Sequence, residues 1–452
     1  MADLNCYITT FNCGRSLINV DYFAANLFHG LKTELPPDFI VLCLQEIAPI
    51  GQSFVGGSLL TPYFARFMQA VADATARQFG KDSRYNTVVT RNVGMTGIMV
   101  FARHELAGKI RSTETAGVGV GVWEMGNKGA VGVRLGLGLG EGGEETSLSF
   151  VAAHLAPMEG AWRKRNADWR SICEGLVFEK VTDVGHRRAV REASGEGERE
   201  PLLSATDGAM NSSSTLGSMF DPPSHLFFAG DLNYRTSDQP PQPEDSQRWP
   251  QPVEVASDPL HYSRFLPKDQ LSREHKNGDT LHHLAEAPVD FPPTYKYSSA
   301  AQKHVAHSTK SEQRTLADGR VVDTTYLKPG DNEEVWLWAQ HRTPSWCDRI
   351  LFLNDARPTV HSYTALPIQP TSDHRPVALS CTVSRKPADV SIQSPFKIRS
   401  DWRARRAAAR RYEMLVGIAA YLALTWEGEA LLAGTIAGII GGYLVLRALL
   451  GI

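Results

Sequence analysis

The chain has 452 residues, 42% of them hydrophobic, and a formal net charge of −2. That is apolar material for one large core or two ordinary domains, and the charge balance excludes a uniformly basic nucleic-acid coat. Six cysteines without a CxxC pair exclude a disulfide framework or a thiolate zinc site, so buried thiols in a reducing compartment are expected.

Met1–Cys6 has no basic stretch followed by a long apolar one, so no secretory signal is expected there. The run Cys6–Phe11 reads as a strand that opens the fold. Further apolar or β-branched runs predict strands at Phe39–Leu44, Gly97–Phe101, Ala130–Leu135, Leu148–Ala153, Leu226–Ala229, Arg349–Leu353 and Pro376–Thr382. Tyr63–Phe79 has helical spacing, with Phe64, Phe67, Met68 and Val71 on one side. Strands with helices between them predict an α/β fold of two packed sheets flanked by helices. Residues 193–223, rich in Gly, Ser and Glu, read as a disordered insertion, and Thr236–Gln251 as a surface excursion.

The character changes after about Val390. Lys397, Arg399, Arg403, Arg405, Arg406, Arg410 and Arg411 face one acid, Asp401, in that stretch. Met414–Trp426 and Ala430–Leu446 follow, separated by Glu427-Gly428-Glu429. A membrane span needs roughly 20 apolar residues, which the second run meets when extended to the terminus and the first does not. Expected, then, are a folded domain over 1–385, a basic juxtamembrane linker over 386–411 and a hydrophobic anchor over 412–452. Basic residues before an apolar run stay cytoplasmic and attract anionic lipid. A single span and a hairpin that turns at Glu427–Glu429 both remain open. Deletion after Pro387 is expected to release the protein from membranes and to leave the 1–385 domain's own activity toward soluble molecules intact.

Four strand ends deliver polar residues of a particular kind. Phe39–Leu44 runs into Gln45-Glu46, and Phe150–Ala153 into His154-Leu155. Leu226–Gly230 leads to Asp231-Leu232-Asn233-Tyr234-Arg235. Thr371-Ser372-Asp373-His374-Arg375 precedes the strand from Pro376. A hard carboxylate such as Glu46, with carboxamides and water, suits magnesium. Asp231 with Asn233 could hold a water, and histidines beside carboxylates suit proton handling and phosphoryl oxygens. The sequence holds no GxxxxGK[ST] loop, which disfavours nucleotide-driven phosphoryl transfer.

In their order along the chain, these segments resemble the inositol polyphosphate 5-phosphatases of the endonuclease/exonuclease/phosphatase superfamily. The resemblance runs from about Tyr7 to Thr382. It rests on Leu44-Gln45-Glu46, Gly126-Asn127-Lys128-Gly129, His154-Leu155, Arg165-Asn166-Ala167-Asp168, Pro293–Tyr297 and Ser372–Pro376. The most specific segments are Gly230–Arg235 and Pro344–Ile350. It implies a four-layer α/β sandwich. It also implies that Glu46 and Asn12 hold Mg2+ with Asp373 nearby, and that Asp231 orients or deprotonates the attacking water. Asn233 and His374 would stabilise the transition state, Asp348 would keep His374 charged, and His154 would bind the scissile phosphate. Asn127 and Lys128 would reach substrate phosphate, and Tyr295, Lys296 and Arg342 the 4-phosphate.

Combined with the tail, the resemblance implies a phosphoinositide lipid as partner, phosphatidylinositol 4,5-bisphosphate first and the 3,4,5-trisphosphate second. The expected place is the cytosolic face of the endoplasmic reticulum. Three alternatives stand beside this: a soluble inositol polyphosphate 5-phosphatase, a nucleic-acid phosphodiesterase of the same superfamily, and an inactive phosphoinositide-binding tether. Nucleic acid is not the expected partner.

Overall fold

The computed structural model describes residues 3–33, 35–138, 145–181, 217–315, 321–327, 335–386, 388 and 392–451, with the backbone alone over 308–315 and 321–327. Its strands, in chain order, begin with β1 (Leu4–Asn12), β2 (Phe39–Gln45), β3 (Tyr85–Val93), β4 (Thr96–Arg103) and β5 (Ile110–Gly119). There follow β6 (Gly129–Gly138), β7 (Glu145–His154), β8 (Glu179–Lys180), β9 (His225–Asp231) and β10 (Leu284–Glu286). The last are β11 (Thr309–Thr315), β12 (Val321–Leu327), β13 (Asp348–Leu353), β14 (Thr359–Ala365) and β15 (Val377–Val383).

Two mixed sheets contain all but β11 and β12, which form a separate hairpin. The six-stranded sheet has the order β14-β15-β1-β2-β4-β3, and the seven-stranded sheet β10-β13-β9-β7-β6-β5-β8. Side chains alternate across a strand, so each sheet offers two apolar faces here. On β2, Phe39, Val41 and Cys43 enter the core between the sheets, whereas Ile40, Leu42 and Leu44 face outward. The inner faces meet through Ile8, Val41, Val100 and Leu379 from one sheet and Val133, Phe150, Phe227 and Ile350 from the other. Phe150 and Phe227 stack there with centroids 5.6 Å apart.

The outer face of the first sheet is covered by the helix Thr61–Phe79, whose Phe64, Phe67 and Val71 pack on Leu42 and Leu44. Trp169 and Ile172 of the helix Trp162–Gly175 cover the second, against Val151 and Phe228. Both strand faces are apolar because both are covered, which is why these strands read as continuous hydrophobic runs. The expected two-sheet sandwich with helical outer layers is therefore the fold. All six cysteines are buried thiols.

Three readings need correction. Of the insertion expected over 193–223, residues 193–216 lie outside the described residues. Its last part is packed: Gly217 bridges Phe178, and Met219 and Phe220 are buried. Their apolar side chains join the core cluster around Trp169. The basic stretch expected as a linker is helical from Trp402 onward, in one helix Trp402–Leu424 that lies against the two-sheet domain. Trp402, Ala409, Glu413 and Gly417 are its buried residues, spaced to fall on one face. Glu427–Glu429 does not form a turn. It occupies the first turn of a second helix, Trp426–Leu450, which begins at Thr425, where the Gly428 N–H is capped by the Thr425 hydroxyl at 3.1 Å. That helix alone, among the described residues, is long and apolar enough to cross a membrane, and its apolar window is fully exposed.

Candidate active site

The strand register gathers the polar strand ends at one edge of the sandwich. β1 and β2 run parallel and end together at the pair Asn12 and Gln45. Glu46 follows at φ 46°, in the left-handed region, which turns the chain out of the sheet. β7 and β9 are also parallel and end together at His154 and Asp231. Asp348 opens β13 directly opposite Asp231. His374 precedes β15, which is antiparallel to β1, and bridges Tyr295. Seams between parallel strand ends from two sheets thus place Asn12, Glu46, His154, Asp231, Asp348 and His374 together.

Asp231 is the hub. Its Oδ2 accepts a hydrogen bond from Asn12 Nδ2 at 2.9 Å, and its Oδ1 accepts one from the Asn233 N–H at 3.1 Å. His154 Nε2 lies 3.2 Å and His374 Nε2 3.9 Å from the same Oδ2. Burial opposes its charge, but the charged His374 and the His154 contact hold the carboxyl well below the usual carboxylate range. His374 Nδ1 is 2.8 Å from Asp348 Oδ2, which also accepts from Thr294 Oγ1 at 2.7 Å. Burial works against a charge on His374, yet Asp348 and Asp231 outweigh it and raise the pKa to about 9. His374 is therefore an imidazolium at neutral pH. His154 goes the other way: burial and the neighbouring Lys128 ammonium push its pKa down, so it is neutral.

The donors available to a metal are oxygens: the Glu46, Asp231 and Asp373 carboxylates and the Asn12 carboxamide. Such a hard, thiolate-free set fits magnesium and not a soft ion. The surroundings already carry cations. Arg15 Nε lies 2.7 Å from Glu46 Oε2, Lys128 Nζ 3.9 Å from Glu46 Oε1, and Lys296 is paired with Asp373. These pairs are the counter-charges with which a bound divalent ion would compete. Asp231, Asp348 and His374 also come within 4.8 Å of one another. A protonated His374 with Nδ1 already donated to Asp348 offers an ion no lone pair, so this trio is better read as a charge-holding set.

The residues assigned to substrate divide into two groups. Lys128 contacts His154, beside Asp231, and the buried Asn127 Oδ1 has no hydrogen-bond partner. Tyr295 packs on His374 with ring centroids 4.5 Å apart, and Lys296 pairs with Asp373. Arg342 stands further out, with Nε 3.8 Å from Glu159 Oε1 and a guanidinium nitrogen 3.4 Å from Met158 Sδ. Asn233, at φ 58°, donates from Nδ2 to the Leu155 carbonyl at 3.2 Å, which fixes the turn after β9.

Sequence reasoning passed over three contributors. Arg15 engages Glu46 from the loop after β1. Arg235 is buried, donates from Nε to Asn233 O at 3.1 Å and to the Asn233 side chain, and lies 4.3 Å from the Tyr295 ring centroid. Thr294 supports Asp348. Arg235 and Thr294 stand inside the Gly230–Arg235 and Pro293–Tyr297 segments, so the signal was present but gave no role. Arg165, in the Arg165–Asp168 segment, holds the loop after His154 through the carbonyls of Ala156 and Met158 at 3.1 and 2.7 Å.

A two-sheet sandwich with a carboxylate-histidine cluster at paired strand ends defines a class, and the comparisons agree with it. Residues 9–380 match the Endonuclease/Exonuclease/phosphatase family 2, and the chain belongs to that family. It is 28% identical over 290 residues to the type IV inositol polyphosphate 5-phosphatase 3 of Arabidopsis thaliana, covering 63% of this chain and 32% of that one. It is 25% identical over 380 residues to the polyphosphatidylinositol phosphatase INP53 of Saccharomyces cerevisiae, covering 83% of this chain and 26% of that one. The chain thus spans about a third or less of the length of these two relatives. Its fold is that of the inositol polyphosphate 5-phosphatase domain of SPsynaptojanin, crystallised with inositol (1,4)-bisphosphate and calcium. The TM-score is 0.55 at 20% identity, over 92% of this chain and 90% of that one.

Proposed function

We propose that the chain is a magnesium-dependent phosphoinositide 5-phosphatase. In this reading it hydrolyses the 5-phosphate of phosphatidylinositol 4,5-bisphosphate at a membrane surface, with the 3,4,5-trisphosphate as a second substrate. The observation that carries the reading is Asp231 at the joint end of β7 and β9, with His154 and His374 at 3.2 and 3.9 Å. The substrate class draws support from the relatives, which are inositol polyphosphate and polyphosphatidylinositol phosphatases.

Phosphate monoester hydrolysis is among the slowest uncatalysed reactions, so the site must supply strong electrostatic help. Magnesium, held by Glu46 and Asn12 with Asp373 nearby, would supply Lewis-acid neutralisation of phosphoryl charge. Asp231 stays ionised and accepts a hydrogen bond from a water, which aims the water oxygen at phosphorus. His374, charged, donates from Nε2 toward the phosphoryl oxygens as negative charge gathers there, and Asp348 keeps it charged. Asn233 supports the same transition state, and Lys128, Asn127 and neutral His154 receive the scissile phosphate. Tyr295, Lys296 and Arg342 take the 4-phosphate, where the guanidinium and ammonium suit its oxygens. The water oxygen bonds to phosphorus as the bond to the inositol oxygen breaks. One water proton ends on the inositol hydroxyl and the other stays with the phosphate.

The membrane setting draws support from the exposed, apolar Trp426–Leu450 helix and the arginines that precede it. Holding an enzyme beside a bilayer raises its effective concentration toward a lipid substrate. The cytosolic face of the endoplasmic reticulum is the membrane this reading favours. A phosphate-release panel tests it: vesicles with each phosphoinositide, soluble inositol phosphates, and plasmid DNA, each with and without magnesium. Magnesium-dependent release from the 4,5-bisphosphate lipid is expected. Cleavage of plasmid, or lipid binding without turnover, would replace this reading with a nuclease or a tether.

A further inference from the structure

Between β5 and β6, residues Gly121–Lys128 form a loop that ends in the proposed substrate residues Asn127 and Lys128. Two of its residues hold φ angles that side chains rarely adopt: Trp123 at 53° and Glu124 at 59°. Such conformations persist where the surroundings over-determine them. Part of that support is the loop's own backbone bonding and the Met95 N–H on the Gly126 carbonyl at 2.9 Å; the rest comes from outside the matched residues 9–380, from the Trp402–Leu424 helix and the residues just before it.

Three contacts fall on this one loop. The Trp123 ring packs on Tyr412 with centroids 5.3 Å apart. The Glu124 carboxylate accepts from Arg405 Nε at 3.0 Å and from Arg399 at 3.4 Å. The Gly126 N–H donates to Glu413 Oε1 at 2.7 Å, in a buried contact. Glu413 is the single acid of its helix and lies on the face that packs inward. Its other oxygen is 3.1 Å from Arg410. Arg410 in turn donates to the carbonyls of Phe54 and Val55, at the end of the short helix that follows Glu46. Gly417 admits this contact, since a Cβ there would come 2.7 Å from Phe54 Cβ. The helix therefore spans the loop that presents Lys128 and the segment that follows Glu46.

We propose that the Trp402–Leu424 helix sets the position of the Asn127–Lys128 loop, with Glu413 as the positioning residue. The C-terminal segment is then part of the active-site architecture as well as a tether, and it ties the attitude of the membrane helix to the substrate loop. This deepens the phosphatase reading and rests on it. A buried amide that loses its acceptor is left unpaired, and the loop it belongs to relaxes.

The test compares full-length wild type, Glu413→Ala and Glu413→Gln in detergent micelles, by hydrogen exchange across 120–130 and by kinetics on soluble inositol 1,4,5-trisphosphate. Glu413→Ala is expected to speed exchange at Gly126 and to raise KM about tenfold with a smaller change in kcat, the scale of one lost charge-assisted bond. Glu413→Gln keeps an oxygen for the Gly126 N–H and is expected to recover most of both. Unchanged exchange and KM in Glu413→Ala, or Gln as damaging as Ala, would overturn the proposal. Should Glu413→Ala fail to fold, Tyr412→Ala removes the half-exposed ring from Trp123. A KM rise of about threefold is then expected, as for one lost aromatic contact, and no rise counts against the idea. Absence of phosphate release by wild type would sink the phosphatase reading instead, and the exchange data would still decide the positioning.

Discussion

His374 Nδ1 sits 2.8 Å from Asp348 Oδ2, while its Nε2 faces Asp231 Oδ2 at 3.9 Å. One imidazole is thereby shared between two buried carboxylates, and it carries the positive charge that both require. Without it, Asp231 and Asp348 would face each other as paired strand residues in a buried setting, where like charges are costly. The β9–β13 pair of the second sheet is electrostatically tenable because of a residue delivered by the first.

This relationship predicts the behaviour of Asp348→Asn. The amide can still accept a hydrogen bond, but it no longer supplies the charge that raises His374. We expect kcat on a soluble inositol phosphate to fall about 100-fold, the scale of losing an electrostatic stabiliser, with KM little changed. Measured kcat equal to wild type would remove His374 from its charged role.

How much of this was legible in the sequence follows from what each feature depends on. Buried central strands such as Phe39–Gln45 announce themselves as apolar runs, because both faces are covered. β3, β5 and β14 lie nearer the sheet edges, with many half-exposed residues, and their mixed polarity hid them. The strand-end residues Glu46, His154, Asp231 and His374 could be singled out through their motifs. Arg15 could not, since its partner Glu46 lies 31 positions away and a loop arginine carries no periodic signal. Glu413 was hidden differently. Within a basic segment leading to a long apolar helix, composition pointed to a solvated linker, and only tertiary packing reveals the acid on its inward face.

A second prediction concerns the metal. Glu46 is a mostly buried carboxylate of the proposed site and is balanced by Arg15 and Lys128. Chelation with EDTA should abolish phosphate release and added magnesium should restore it. Glu46→Gln should shift the magnesium concentration for half-maximal activity upward by about tenfold or more, as expected for losing a charged oxygen ligand. Full activity after exhaustive chelation would show that the oxygen cluster works without an ion.

Arg235 offers a test of positioning within the domain. Its guanidinium is buried, holds Asn233 through two groups and stacks on Tyr295, which in turn packs on His374. Lysine cannot reproduce a planar fork that both hydrogen-bonds and stacks. Arg235→Lys should therefore lower stability by roughly 1–3 kcal/mol and reduce kcat, the scale of losing a buried hydrogen bond made by a charged group. Urea unfolding and steady-state kinetics measure the two effects. A variant with wild-type stability and kcat would show that this guanidinium is a passive filler.

The final prediction separates the two C-terminal helices. From composition, everything after Pro387 is expected to be dispensable for a soluble substrate. The contacts of Glu413, Arg405 and Tyr412 change that expectation for the first helix and leave it standing for the second. A chain cut after Leu424 keeps the docked helix and loses the exposed apolar one. It should leave the membrane fraction yet hydrolyse a soluble inositol phosphate at close to the full-length rate. A chain cut after Pro387 also loses Arg399, Arg405, Arg410 and Glu413, so that the strained Trp123–Glu124 loop is unsupported and Phe54, Met95 and Met125 are uncovered. Its kcat/KM should fall by about tenfold or more for the loss of several partly buried charged contacts, and its tendency to aggregate should rise. Co-sedimentation with vesicles and phosphate release on the same preparations decide the matter. If both truncations were equally active on the soluble substrate, the helix Trp402–Leu424 would be a tether that merely rests on the domain.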